Sequence, residues 1–159
     1  MNIPVSISDR LKTQHLGLPA IIAGLGNEHI LRNPLPGKWS IKDNIAHLAR
    51  YQLVFIDRIK LILTSDHPVF EAYRAENDIE FEKWAKKDLN QLSEELNSER
   101  KKLTGLVIPL TGYELQRVGV HSKFGNLTIL DWTEFFLLHE AHHLFTIFRL
   151  AHDTSFISK

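Results

Sequence analysis

The stretch Thr128-Ile129-Leu130-Asp131-Trp132-Thr133-Glu134-Phe135-Phe136-Leu137-Leu138-His139-Glu140-Ala141-His142-His143 decides the fold. Thr128 followed three residues later by Asp131 is a capping box, in which a hydroxyl N-cap and an acidic third helical residue satisfy each other's backbone donors. Helical spacing then persists to about Ala151. His139 and His143 lie about 40° apart around the axis and one turn apart along it, so two imidazoles can converge on one point. Trp132, Phe135, Phe136, Thr146 and Leu150 fall within about 60° of His139, which places the pair on the face that packs inward.

Working outward, the same start signal recurs at Ser40-Ile41-Lys42-Asp43 and opens a helix to about Leu63, with Ile45, Leu48, Ile56, Ile59 and Leu63 as its apolar stripe. Leu89, Leu92, Leu96 and Leu103 mark another helix, from about Asp88 to Val107. An N-terminal helix runs from about Ser8 to Gly24, bent or restarted by Gly17 and Pro19, and the Pro/Gly-rich stretch Asn33 to Gly37 separates it from the next. A short helix is expected near Ile79 to Lys86. Pro109 to Leu127 reads as the longest irregular piece, and no hairpin signal, repeat or low-complexity segment is apparent. The expected fold class is therefore all-α, a single domain over residues 1–159 built as a four-helix bundle, with one short extra helix between the second and third.

Composition narrows the chemistry. The chain has 159 residues, 19 Lys plus Arg against 19 Asp plus Glu, nine His and no Cys. Without thiols there is no disulfide framework, Cys nucleophile or iron–sulfur cluster, and a metal site must use nitrogen or oxygen ligands. Zero formal charge argues against nucleic acid or an anionic membrane as partner. Met1 to Lys12 has no apolar signal core and no stretch is apolar enough to span a bilayer, so the expected location is cytoplasmic.

The histidine pair has two readings, a metal grip or core histidines satisfied by hydrogen bonds. His47, about two turns into the second helix on the side of Tyr51 and Val54, is the candidate third ligand. Two His from one helix and one from a facing helix would fill three tetrahedral positions and leave a fourth open. The string His139-Glu140-Ala141-His142-His143 also matches the H-E-x-x-H pattern of zinc proteases. Its extended form needs Gly and His where this chain has Thr146 and Arg149, and no Glu follows Glu140 as an alternative ligand. Asp43, one turn before His47, could accept its ring N–H. Arg117 has the forked donors to bind an anion, and His121 lies near it in the long loop. His15, His29, His67 and His152 have no partners at metal spacing and read as surface or packing residues.

Trp39-Ser40-Ile41-Lys42-Asp43 leading to His47-Leu48, Arg117-Val118-Gly119-Val120-His121 with Gly125 and Thr128, and His139-Glu140-Ala141-His142-His143, in that order and spacing, resemble the DinB-like superfamily over roughly Leu11 to Leu150. The superfamily includes bacillithiol transferases and maleylpyruvate isomerases that use mycothiol. The resemblance implies a four-helix bundle holding one divalent ion, often zinc or nickel, through His47, His139 and His143. Thr146 stands where similar members often have Gln.

The resulting expectation is a metal-dependent enzyme whose ion activates a low-molecular-weight thiol, as a transferase, or water, as a hydrolase, on a small-molecule substrate. His142, Glu140, His121 and Arg117 are the candidate catalytic groups beside the ligands. A non-catalytic, stress-associated metal-binding scaffold is the alternative. Leu137, Leu144 and Phe148 lie at about 140–180° from His139, so the last helix is apolar on two faces, and a homodimer through it is expected to cover the second.

Overall fold

The computed structural model describes residues 2–154; Met1 and residues 155–159, which the single-domain reading included, lie outside them. The N-terminal segment is not one helix but three pieces: α1 (Val5–Thr13), a 3-10 turn (Gln14–Gly17) and α2 (Leu18–Ile21). Pro19 sits in the first turn of α2, where a missing N–H costs nothing. After α3 (Asn27–Leu31) comes α4 (Ile41–Thr64), then β1 (Val69–Phe70), a 3-10 turn (Ala75–Asn77), α5 (Phe81–Ala85) and α6 (Leu89–Val107). The chain ends with α7 (Gly112–Gln116), β2 (Val118–His121), β3 (Gly125–Thr128) and α8 (Ile129–Ala151). The N-terminal segment, α4, α6 and α8 make the four-helix bundle, and α5 is the expected extra helix.

The capping boxes form as read. Ser40 Oγ accepts from the Asp43 N–H at 3.0 Å while Asp43 accepts from the Ser40 N–H at 2.9 Å, and Thr128 and Asp131 repeat the exchange. Asp43 is thereby committed to the helix start and does not reach the ring N–H of His47. No described helix is long and apolar enough to cross a membrane.

The stretch taken as an irregular loop instead carries α7 and a hairpin. β2 pairs antiparallel with β3, His121 opposite Gly125, and parallel with β1, Phe70 opposite His121. These strands are short and contain Gly119, Gly125 and Asn126, so they lack the β-branched run by which a strand announces itself. Tertiary contact supplies what local propensity does not. A Cβ on Gly119 would lie 2.7 Å from Ile62 Cδ1 and 2.9 Å from Phe70 Cε2, so only glycine lets β2 approach α4 this closely. The Gly119 carbonyl also accepts the Trp132 indole N–H at 3.2 Å, which ties the sheet to α8.

Arg117, an anion-binding candidate from the sequence, is engaged in this architecture. Its Nε donates to the Ile62 carbonyl and its Nη2 to the Ser65 carbonyl, both at 2.6 Å, covering acceptors left over at the C-terminal end of α4.

The buried side chains form two apolar clusters. One holds Tyr51, Phe55, Leu103, Trp132 and Phe136; the other holds Ile45, Leu48, Leu92, Leu96 and Ile147. Between them on the same helices sits a polar layer. Arg100 is 1% exposed and Glu140 0%, and their charged groups are in direct contact. Arg100 also donates to Gln52 Oε1 at 2.9 Å and to the Leu11 carbonyl at 3.0 Å. Gln14 Nε2 donates to the second Glu140 oxygen and to the Leu137 carbonyl, both at 2.9 Å. One ion pair thus joins all four bundle elements. Glu140, a catalytic candidate from the sequence, is a structural anion with both oxygens engaged.

The N-terminal segment also corrects the two-faced reading of α8. Leu137 is fully buried and Leu144 packs against the second cluster, so this chain covers them itself. The exposed apolar residues of α8 are Leu138, Phe145 and Phe148.

Removing one partner of the buried pair strands a charge in the core. Arg100→Met should cost about 3–5 kcal/mol in urea unfolding, whereas the double variant Arg100→Met, Glu140→Met should regain most of that loss.

Candidate metal centre

His47 projects from the second turn of α4 and His139 and His143 from the middle of α8. Each offers a ring nitrogen, and the three atoms lie within 4.8 Å of one another. The Nε2 atoms of His47 and His139 are 3.0 Å apart. Nitrogens bound to a tetrahedral ion at roughly 2.0–2.1 Å lie about 3.3 Å from each other, so the observed convergence fits a small divalent ion.

Burial keeps these rings neutral. Desolvation, with repulsion from neighbouring imidazoles, lowers the pKa of His47 to about 2, of His139 to about 3 and of His143 to about 4. Neutral imidazole is the form that ligates a metal. The pattern also bears on the core-histidine alternative. The rings of His47 and His139 meet each other through Nε2, but their buried Nδ1 atoms have no hydrogen-bond partner among the described residues, so hydrogen bonding does not fully satisfy either ring.

His143 is held differently, its Nδ1 lying 2.8 Å from Asn44 Oδ1. The amide oxygen accepts the Nδ1 proton and leaves Nε2 free for the centre, an orienting role metal-bound imidazoles usually require. Asn44 itself is pinned by donating to the Ser40 carbonyl at 2.8 Å. The oxygen partner expected of Asp43 is thus supplied by its neighbour, and to His143 instead of His47. The signal was available, since Asn44 is three residues before His47 and so shares its side of α4.

Aromatic rings enclose the three histidines. Trp39 lies 4.9 Å from the His47 ring and 6.0 Å from that of His143, Tyr73 stacks on His47 at 5.6 Å, and Tyr51 sits 4.4 Å from His139. Tyr73 donates to Asp78 at 2.8 Å, and Asp78 pairs with Arg50 at 2.8 Å. Tyr73 was not legible as a site residue, because it comes from an irregular segment with no period.

The centre opens on two sides. A cleft of about 560 Å³ is lined by Lys38, Trp39, Glu76, His142, His143 and Arg149. His142 is exposed there, its ring 5.3 Å from that of His143, and Thr146 lines the same cleft. On the other side a cavity of about 240 Å³ runs between His139 and His121. His15, by contrast, is buried beside Arg100, 3.4 Å from Nη1, and burial with the adjacent positive charge lowers its pKa to about 4.

A bundle whose α4 and α8 present three neutral, converging imidazoles defines a class of helical proteins with a nitrogen-ligand metal centre. The pattern of the DinB superfamily matches residues 11–147, and the chain belongs to that superfamily. It is 26% identical over 140 residues to a protein of Oceanobacillus iheyensis named "Putative metal-dependent hydrolase OB0413", covering 85% of this chain and 78% of that one. It is 25% identical over 140 residues to the uncharacterized protein YuaE of Bacillus subtilis, covering 77% of this chain and 83% of YuaE. The structure of YfiT from Bacillus subtilis, described as "a probable metal-dependent hydrolase with an unusual four-helix bundle topology", superposes with a TM-score of 0.78. That superposition covers 94% of this chain and 86% of YfiT at 19% identity, which establishes the shared fold.

Asn44→Ala removes the acceptor that orients His143 without touching a ligand. It should weaken zinc binding about 10–100-fold by calorimetry, with Asn44→Asp recovering most of the affinity.

Proposed function

We propose that the chain is a metal-dependent enzyme acting on a small molecule, with one divalent ion, zinc or nickel, held by His47, His139 and His143. The observation that carries this reading is the convergence of three neutral ring nitrogens within 4.8 Å. A bound ion would supply Lewis acidity that makes water, or a low-molecular-weight thiol, nucleophilic at neutral pH. His47 and His139 hold their Nε2 atoms toward the centre, Asn44 holds His143, and Trp39, Tyr51 and Tyr73 exclude bulk water around them. His142, at the mouth of the cleft with Lys38 and Arg149, is placed to orient an incoming substrate.

Water and thiol remain distinct branches of this proposal. The name carried by the Oceanobacillus relative supports hydrolysis. The absence of Cys means that a thiol reaction must take its sulfur from a cosubstrate. A non-catalytic metal-binding module is the second reading, favoured by one observation: the Glu of the H-E-x-x-H string is withdrawn into the Arg100 pair and cannot serve as general base. A cytoplasmic location and a homodimer complete the proposal. Leu138, Phe145 and Phe148 share one exposed side of α8, at spacings of seven and three residues, and support the dimer.

Metal analysis of the untagged protein tests the centre. About one divalent ion per chain is expected, lost in His47→Ala and His143→Ala and retained in the exposed control His67→Ala. Metal-free wild type whose melting temperature does not move on adding zinc or nickel would refute it. With metal bound, ester and amide hydrolysis assayed beside conjugation of small thiols separates the two enzyme branches, and inactivity in both favours the module.

Sedimentation should show a species of twice the chain mass that Phe145→Glu converts to monomer. A monomeric wild type removes the dimer from the proposal.

A further inference from the structure

His121 remains unexplained by anything above, and its environment is specific. Gly119 and His121 alternate with Val118 and Val120 along β2, so both face inward, and His121 is 3% exposed. Its Nδ1 accepts the backbone N–H groups of Lys123 at 3.0 Å and Phe124 at 3.3 Å. A ring nitrogen that accepts two N–H groups cannot carry a proton, so the proton of the neutral ring resides on Nε2. That Nε2 bonds to no described residue, yet it is not among the sealed polar atoms, and so it opens onto the cavity that His121 lines. The ring is further fixed by Phe124, Trp132 and Phe135, with centroids at 4.8, 5.4 and 5.5 Å.

The cavity itself is small, about 240 Å³, and reaches from His121 to His139 between Tyr51, Tyr73, Phe124 and Phe135, with Ala72 and Lys123 completing its lining. Tyr73 donates its hydroxyl proton to Asp78, and the His121 Nε2–H is a donor whose direction is fixed by the turn, in a chamber walled mainly by aromatic rings. Aromatic walls select a flat, apolar group, and the fixed Nε2–H donor selects an acceptor oxygen on it.

We infer that this cavity seats a planar unsaturated group of the substrate bearing a carbonyl oxygen, and that His121 Nε2–H donates a hydrogen bond to that oxygen. The inference rests on the proposed reading of the His47, His139 and His143 centre as the place of reaction, because the cavity that seats this group is also lined by His139. His121 is then a substrate-positioning residue, and the hairpin that the sequence did not announce exists at this end of the bundle to carry it.

Two substitutions separate its two nitrogens. In His121→Asn the amide oxygen replaces Nδ1 as acceptor for the turn, while the Nε2 donor is lost. His121→Gln keeps a donor near Nε2 and gives up the turn acceptor. Benzamide and ethylbenzene are titrated into the purified full chain, with and without added zinc, and followed by amide shifts of Lys123 and Phe124. Both should bind. His121→Asn should raise the benzamide Kd about three- to tenfold and leave that of ethylbenzene unchanged, and His121→Gln should restore part of the difference. Phe135→Trp, which fills the cavity from α8 and keeps the His121 Nδ1 acceptor of the turn, should abolish both and guards against an unfolded hairpin in the other variants. Equal responses of the two ligands to His121→Asn overturn the donor, and benzamide shifts that map elsewhere or survive Phe135→Trp overturn the subsite. Benzamide binding in a protein that takes up no zinc refutes the metal centre alone, and zinc binding with no benzamide shifts refutes this inference alone.

Discussion

The buried contact between Arg100 and Glu140 is the constraint on which the remainder depends. His139 and Glu140 are consecutive on α8 and therefore point about 100° apart around its axis. Once Glu140 is engaged by Arg100 from α6 and by Gln14 from the N-terminal segment, the rotation of α8 has one solution, with His139 and His143 turned toward α4. Any other rotation would leave a desolvated charge without its partner, at a cost of several kcal/mol. An apolar pair of the same volume could pack as tightly but would not specify the rotation, and the histidines require the rotation more than the bundle requires stability. The broken N-terminal segment follows from the same demand. Arg100 reaches the Leu11 carbonyl and Gln14 reaches Glu140, so the chain between α1 and α2 must run close to α8 as a 3-10 turn instead of continuing as a straight helix.

How much of this was legible in the sequence depends on whether a feature is periodic. The long helices, their capping boxes and the convergence of His139 and His143 rest on local spacing, and they appear at or within a few residues of the expected positions. His47 came from the family resemblance, and the structure brings it to the pair. Arg100 carries a signal that the helical pattern contains, since it falls four residues after Leu96 and three before Leu103, inside the apolar stripe of α6. A charge in a stripe announces a buried partner. Glu140 is that partner, and its place in an H-E-x-x-H string drew attention from its place four residues after Phe136. The hairpin was not legible for a different reason. Its strands are held by the approach of Gly119 to Ile62 and by the Trp132 indole, contacts with residues far away in sequence that no local window contains.

The chemistry of the centre follows from desolvation more than from any single contact. Three imidazoles whose nitrogens lie within 4.8 Å of one another would repel if charged, and burial already disfavours charge, so both effects act in the same direction and keep the rings neutral. The aromatic ring of Trp39, Tyr51 and Tyr73 maintains that low dielectric without offering competing donors at the centre. Asn44 is the exception, an uncharged acceptor that fixes His143 without adding a counter-charge.

The two openings of the centre are chemically unlike, and this asymmetry gives the site a direction. On the His143 side, Lys38, His142 and Arg149 line a wide cleft with Glu76, an environment for the charged and hydrated part of a molecule. On the His139 side, the smaller cavity is walled mainly by aromatic rings, an environment for a flat group. On the proposed function, a substrate spanning both would lie across the three histidines with its charged end in the cleft of Lys38 and Arg149 and its unsaturated end toward the hairpin, because the reverse would set charge among aromatic rings. On that reading orientation is set by the unlike chemistry of the two mouths, and the bond that reacts is the one that falls between them.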